Sequence, residues 1–566
     1  TTPEKKAPKT SKKTPPAANT SQRQPVYVTT IRDTRPLTAA SDRHVRDRDF
    51  MLFPRNTSSD LLLMVPQLHI SQHSGSGKGH KIFLRGFDAE HGQDLYVSYA
   101  GIPLNQPSHI HGIGYTDLHF LIPGLIKRIE VLKGPYNVRY GNFATAGAVN
   151  FIMHSSLTRP LIELEGGSFG SLKVGKLMSF DGGPFTAIMG AQAFSTDGFT
   201  ENGEWRGMRA SGRVERKLDG ITLRSTFGFY YATWLSSDAI PERLVQDGTL
   251  DFYGGLDHSD GGAAGLAFLS FGLEGEGKLA AYKAQLYFIA QQTKLYTNYT
   301  YFTNHPDHGD QTEQLDSRAV VGGRFERVRR LNTPVGSAKV LLGLDFRLDN
   351  IDMGLYRTEE RVRWDKGLSV SGSVADVGTY ASLTLTPTTW LRAHLGWRND
   401  YLWYSGSGVQ DLTRPSGAID HDQPVNGVAD QVVAGPKSSV IITPTKGCSI
   451  FFNMGTGFHS PDLRDALQNP DSEVPVAWGG EVGARLKAGS LDVAGSLWGI
   501  YMDQEIFFDP TLGRSIDTGS SIRLGAEFEA RYRFFSWLHL NLDASYTDAR
   551  LIESGDPVPN APRIMV

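Results

Sequence analysis

Apolar and polar residues alternate with period two along most of the chain, from about Ser156 to Val566. Tyr282, Ala284, Leu286, Phe288 and Ala290 fall on one face, with Lys283, Gln285 and Gln291 on the other. Ile522, Leu524, Ala526, Phe528, Ala530 and Tyr532 alternate with Arg523, Glu527, Glu529, Arg531 and Arg533. Leu538, Leu540, Leu542, Ala544 and Tyr546 alternate with His539, Asn541, Asp543, Ser545 and Thr547. Successive side chains of a strand point to opposite faces, so these runs give strands with one apolar and one polar face. They exceed the roughly 5–6 residues usual for strands in soluble sandwiches. The pattern predicts a transmembrane antiparallel β-barrel, with lipid outside and water inside. The sheet must close, because an open edge in hydrocarbon leaves backbone groups unpaired. Alternation alone gives roughly seventeen strands. Trp234, Trp397, Trp403 and Trp537 stand at strand ends, as interfacial girdles do. Tight turns at Asp219-Gly220 and Phe535-Ser536 contrast with long polar segments at 236–262, 296–316 and 405–430. Short turns belong at the periplasmic end and long loops outside.

Between Pro66 and Ser155 the pattern is different. Short strand blocks are punctuated by glycine: Lys81 to Leu84 before Arg85-Gly86-Phe87-Asp88, and Ile129-Glu130-Val131-Leu132-Lys133 before Gly134-Pro135. Glycine admits unusual φ and proline cannot donate to a ladder, so each block ends there. Upstream, Leu61 to Val65 follow polar residues that can serve as caps and precede Pro66, which predicts a short helix.

The order of these blocks resembles the plug domain of TonB-dependent outer-membrane receptors. The resemblance is carried by Leu84-Arg85-Gly86-Phe87, Leu95-Tyr96-Val97 with Gly101-Ile102-Pro103-Leu104, Ile129 to Pro135, and Gly147-Ala148-Val149-Asn150. It extends into the barrel at Gly455-Thr456-Gly457-Phe458-His459-Ser460-Pro461 and Gly525-Ala526-Glu527-Phe528-Glu529. Ala100 stands where the family usually has Asp, and His459 where it usually has Arg. The resemblance implies an α+β plug at 40–155 inside a barrel formed by 156–566. The family's barrel has twenty-two strands, so the last strands are expected to be missing from this chain.

Residues 1–24 are rich in Lys, Pro and Thr and too poor in apolar side chains to fold alone, which reads as a disordered periplasmic linker. The basic tail also suits anionic lipid or nucleic acid. Thr1 reads as the start of a processed chain. Residues 25–31 then look like a TonB box, with Val26, Tyr27, Val28, Thr29, Thr30 and Ile31 available to add as a strand to a partner's sheet. The alternative is the first strand of the plug. The partner implied is TonB, with the inner-membrane ExbB–ExbD complex.

The formal net charge of −3 gives no global argument for nucleic acid. The single Cys448 excludes an intrachain disulfide. No phosphate loop or cysteine–metal spacing is present, so no enzyme is expected and no cofactor is implied. Seven of sixteen histidines lie within 67–119: His69, His73, His80, His91, His109, His111 and His119. His109 and His111, spaced by one, would share a strand face. Metal coordination, contact with an imported ligand and hydrogen bonding within a wet barrel all remain open for them. Phe87, His91, His109, His111 and Tyr115 are the expected ligand contacts at the plug apex. Arg85 and Lys133 are expected to pair with Glu527 or Glu529 across a wet interface, where such pairs are individually weak. His305 to Asp310 could hold a cation or be plain solvated loop, and Tyr296, Tyr299, Tyr301 and Phe302 could form an aromatic ligand surface or face lipid.

The function expected is active import, into a Gram-negative cell across its outer membrane, of a scarce extracellular ligand. A ferric siderophore or other metal complex comes first. A passive channel or adhesin barrel, and a barrel enzyme, are the alternatives.

Overall fold

The computed structural model describes residues 37–566, apart from 51–52, 73–76, 414–418, 510–513 and 536. The linker, the candidate TonB box, His73 and Ser536 of the expected turn lie outside the described residues. Pro36–Val566 is one compact unit.

Eight short strands build the inner domain: β1 (Arg43–Arg46), β2 (Leu68–Ser71), β3 (Lys81–Leu84), β4 (Phe87–Asp88), β5 (Leu95–Tyr99), β6 (Ile102–Pro103), β7 (Ile126–Lys133) and β8 (Gly147–Met153). The main sheet has the order β1-β7-β8-β5-β6, and β2-β3-β4 form a second, smaller one. Among the described strands only β5 and β8 pair in parallel, with Val97 opposite Val149. The helix expected before Pro66 is a 3-10 turn at Ser59–Met64. The Asp60 carboxylate accepts the backbone N–H groups of Asn56 and Thr57 at 2.7 and 2.9 Å and starts that turn.

The rest of the chain forms a closed antiparallel barrel of nineteen strands among the described residues. Periodicity gave fewer because pieces such as Ile419–Pro424 and Ile564–Met565, 6 and 2 residues long, are too short to show a period. The wall is uneven. On one side Leu161–Gly166, Leu172–Gly182 and Phe185–Thr196 have 6, 11 and 12 residues. On the other, Thr312–Thr333, Gly336–Glu359, Val362–Thr388 and Leu391–Thr413 have 22 to 27. The expected loop at 405–430 is therefore largely strand. Its outward Ser405 and Ser407 carry no apolar signal because the tall wall has risen past the apolar belt. Cross-strand hydrogen bonds serve there instead, such as Ser373 Oγ to Asn350 Oδ1 at 2.7 Å.

On the strand Gly336–Glu359 the outward Leu342, Leu344 and Phe346 are exposed, whereas Asp349 is fully buried in the lumen. Trp397 and Trp537 lie on the outside as expected. Trp234 does not. It is buried in an apolar core that runs from the inner domain onto the barrel wall through Phe120, Leu121 and Ile122 to Trp205, Phe268 and Tyr287. Thus part of the seam between the two domains is dry, contrary to a uniformly wet interface.

Candidate functional site

Arg85 sits at φ 52°, followed by Gly86 at φ 69°, in the turn between β3 and β4. This left-handed pair aims the guanidinium at the barrel. Its Nε donates to Glu527 Oε1 at 2.9 Å and its Nη2 to Glu481 Oε2 at 2.7 Å. Lys133, at the end of β7, donates from Nζ to Glu527 Oε2 at 3.1 Å and to the Gln67 side chain. Glu529, two residues along the same strand, faces Arg43 of β1 at 3.3 Å and neither Arg85 nor Lys133. The Arg85 and Lys133 side chains are wholly buried, and so is that of Glu481. The expectation of weak, solvated pairs is therefore corrected. In this setting each charge depends on its partners, because water cannot replace them.

The Gly455 to Pro461 segment fits the inner domain closely. A Cβ at Gly455 would lie 2.4 Å from Pro135 O, and one at Gly457 2.7 Å from Ala144 O. The glycines let the backbone of 134–146 rest directly on the barrel strand, where Phe143 N–H donates to Phe458 O at 2.8 Å. His459 then reaches Asp94 through its Nδ1 at 3.1 Å, and the Thr145 hydroxyl donates to the same carboxylate at 2.6 Å. Burial works to raise the Asp94 pKa, but His459 and Thr145 hold it below the ordinary value.

The histidine-rich loops meet one another beneath the long-loop end of the barrel. The His109 ring stacks on Tyr115 at 4.3 Å between centroids, and His91 lies 4.8 Å from His111 and 5.3 Å from Tyr115. His111 Nδ1 hydrogen-bonds Gln314 Oε1 at 2.7 Å. All four are buried. Burial pushes the His109 pKa well below its ordinary value, so its imidazole is neutral. Phe87 is elsewhere, in the inner core with Arg523 stacked over its ring at 3.8 Å. It does not join the apex. Among the described residues no group of three or more His, Cys, Asp or Glu is placed to hold a metal ion. The His305 to Asp310 segment closes on itself, with His305 Nδ1 2.9 Å from Asp310 Oδ1, and His308 stacks on Trp364.

Two further features carry little sequence signal. The first is a helix of six residues, α1 (Leu463–Gln468), which lies against the apex under the tall wall. Its N-cap Asp462 accepts the Ser108 hydroxyl at 2.6 Å, and Leu463 N–H donates back to Ser108 Oγ at 3.2 Å. Six residues are too few for a helical period to stand out. The second is a loop cluster of Asp238, Asp257 and Asp260. Asn298 N–H donates to Asp260 Oδ2 at 3.1 Å, Asn298 Nδ2 to Asp257 at 2.8 Å, and Gln311 Nε2 to Asp260 Oδ1 at 2.9 Å. Burial, then Asp238 and Asp257, pushes the Asp260 pKa up to about 9.

Comparison with known proteins places this geometry. Residues 37–148 match the family model described as the TonB-dependent receptor plug domain, and residues 198–566 the model of the TonB-dependent receptor-like β-barrel. A 97-residue stretch is 37% identical to the vitamin B12 transporter BtuB of Vibrio vulnificus (strain CMCP6), covering 17% of this chain and 15% of that protein. Among solved structures, the unliganded ferric citrate transporter FecA superposes with a TM-score of 0.77 at 16% identity, covering 92% of this chain and 80% of that one. The ferric yersiniabactin uptake receptor FyuA of Yersinia pestis gives 0.74 at 13% identity, with 93% and 82% covered. The copper transporter OprC gives 0.73 at 13% identity over the same shares. At such identities the likeness is one of fold.

Proposed function

This chain belongs to the TonB-dependent receptor family, and from that membership we propose that it works in the outer membrane of a Gram-negative bacterium, importing a scarce extracellular ligand with energy delivered through TonB and the ExbB–ExbD complex. The observation that carries the reading is the plug seated in the lumen by Arg85, Glu481 and Glu527. A plug so held blocks passive flow, so cargo passes only when the plug moves.

The cargo we propose is a ferric siderophore or another metal complex. Support comes from fold-level neighbours that carry ferric citrate, ferric yersiniabactin and copper. The B12 transporter match keeps a corrinoid as the second reading. Ligand capture outside must favour one plug state over another to have any effect inside. The N-terminal peptide at 25–31 is the segment proposed to meet TonB.

The test is growth of a deletion strain on a panel of ferric chelates, copper and cobalamin. Loss of growth on one source, restored by the gene, identifies the cargo. Unchanged growth on every source contradicts import.

A further inference from the structure

Ahead of β1, residues 38–42 fold into a compact strap that lies on the barrel wall. The Asp42 carboxylate draws it into a turn, accepting the Thr38 N–H at 2.8 Å, the Thr38 hydroxyl at 2.7 Å and the Ala39 N–H at 2.9 Å. Ala40 is fully buried against Ile441 and Phe451 of the wall. Gly483 makes room for it, since a Cβ there would lie 2.5 Å from Ala40 Cβ. Arg485, on the same wall strand (Val476–Ala488), donates through Nη1 to Ala40 O at 3.3 Å and to Asp42 O at 3.0 Å. The strap therefore has a fitted place on the wall, although it belongs to neither plug sheet.

Ser41 joins the strap to the buried clamp. Its hydroxyl donates to the Glu481 carboxylate, 3.0 Å from Oε1 and 2.8 Å from Oε2. That Oε2 is the oxygen that takes Arg85 Nη2 at 2.7 Å. Along the wall strand the strap covers the inner face from Glu481, past Gly483, to Arg485. Beyond Arg485 comes the tight turn between Ala488 and Leu491, at the short-turn end of the barrel. The strap thus stands between the clamp and the periplasmic end. β1 follows it as an edge strand of four residues, paired only with β7.

We propose that the strap is a water seal over the clamp, and that Ser41 is the positioning residue through which displacement of the N-terminal segment weakens the Arg85 pairs. Drawing the strap away takes the Ser41 hydroxyl from Glu481 and opens the carboxylate to water. The attraction between Arg85 and its two carboxylates then falls as the local dielectric rises. A pull on the N-terminal segment does not have to break a dry ion pair, because it wets the pair first. The place of the strap in the chain, ahead of β1, makes it the first described piece that such a pull meets. The source of the pull rests on the receptor reading, but the seal itself is tested without transport.

The experiment places the full chain in nanodiscs and reads hydrogen exchange at the clamp turn, residues 84–88. Salt separates a seal from plain packing, because screening acts on wetted charges and much less on buried ones. Ala40→Arg, too large for the space against Ile441, Phe451 and Gly483, should eject the strap. Exchange in the turn should then rise at least fivefold between about 0.05 and 0.5 M sodium chloride, with less than a twofold change in the wild type. The same salt response in both proteins overturns the seal. A milder matched pair gives a second reading: Ser41→Thr keeps the hydroxyl, and Ser41→Val removes it at similar size. Exchange in the turn should be at least threefold faster in Ser41→Val, and equal rates overturn the role of Ser41. The order of events is read by pulling on a handle at Thr1→Cys in the Cys448→Ser protein. A first step of about 20 Å, six residues at ~3.4 Å each, should precede plug release. Plug release with no earlier step overturns that order. Retained heat-modifiable migration of the barrel on gels checks folding of every variant.

Discussion

Arg85 lies between two carboxylates, with Trp498 4.9 Å from its charge and no exposed side-chain surface. Removing one partner of such a buried group is expected to cost about 3–5 kcal/mol, far more than an exposed pair would. Glu527→Gln should therefore loosen the plug strongly, since it takes the shared carboxylate from both Arg85 and Lys133 and leaves Lys133 without a carboxylate partner. Greater protease cleavage of the plug in isolated outer membranes checks this, and unchanged cleavage counts against a buried clamp. Ala100 offers a milder case. It turns β5 into β6 at φ 53°, followed by Gly101 at φ 87°, a backbone that asparagine tolerates better than alanine. Ala100→Asn should stabilise the plug by about 1 kcal/mol, read as slower hydrogen exchange in that turn. At this scale the sequence was partly legible. Period two put Glu527 and Glu529 on the lumen face, and the glycine after Arg85 marked its turn. Glu481 was not foreseen, because period two puts many carboxylates on the lumen face without saying which of them reach Arg85. Nor was the burial, which turns a weak pair into a strong dependence.

At the scale of elements, long strands declared themselves and short ones did not. The run Ala280–Thr297 was visible through its alternation, whereas α1 and Ile419–Pro424 needed the packed structure. Trp234 was misassigned for a related reason. A strand-end tryptophan reads the same from sequence whether it faces lipid or the plug. The loop acids carry their own prediction. Asp260 has a folded-state pKa above the ordinary 3.8, so its contribution is stabilising below that value and is lost as pH rises toward about 9. Local opening of the loops at 236–260 and 298–311 should therefore increase between pH 6 and 9. Asp260→Asn, which keeps an acceptor for Gln311 without a charge, should flatten that rise. Hydrogen exchange at several pH values, corrected for intrinsic rates, makes the comparison. An identical pH response in the two proteins would contradict a raised Asp260 pKa as its source.

For the whole molecule, the division into plug and barrel was the most legible feature, because it depends on many weak signals repeated over hundreds of residues. Glycine-punctuated strands gave the plug, and long alternation gave the wall. Cargo was least legible. The expected apex contacts His91, His109, His111 and Tyr115 do come together, yet all four are buried, and Phe87 lies apart in the core. A clamp of buried charges and a buried apex together describe a barrel that is shut at rest. The most direct measurement is uptake of the radiolabelled cargo found in the growth panel, in matched cells with and without TonB, with surface-bound and internal label counted separately. The account predicts equal surface binding in both and accumulation inside only when TonB is present. Accumulation at the same rate without TonB would contradict it.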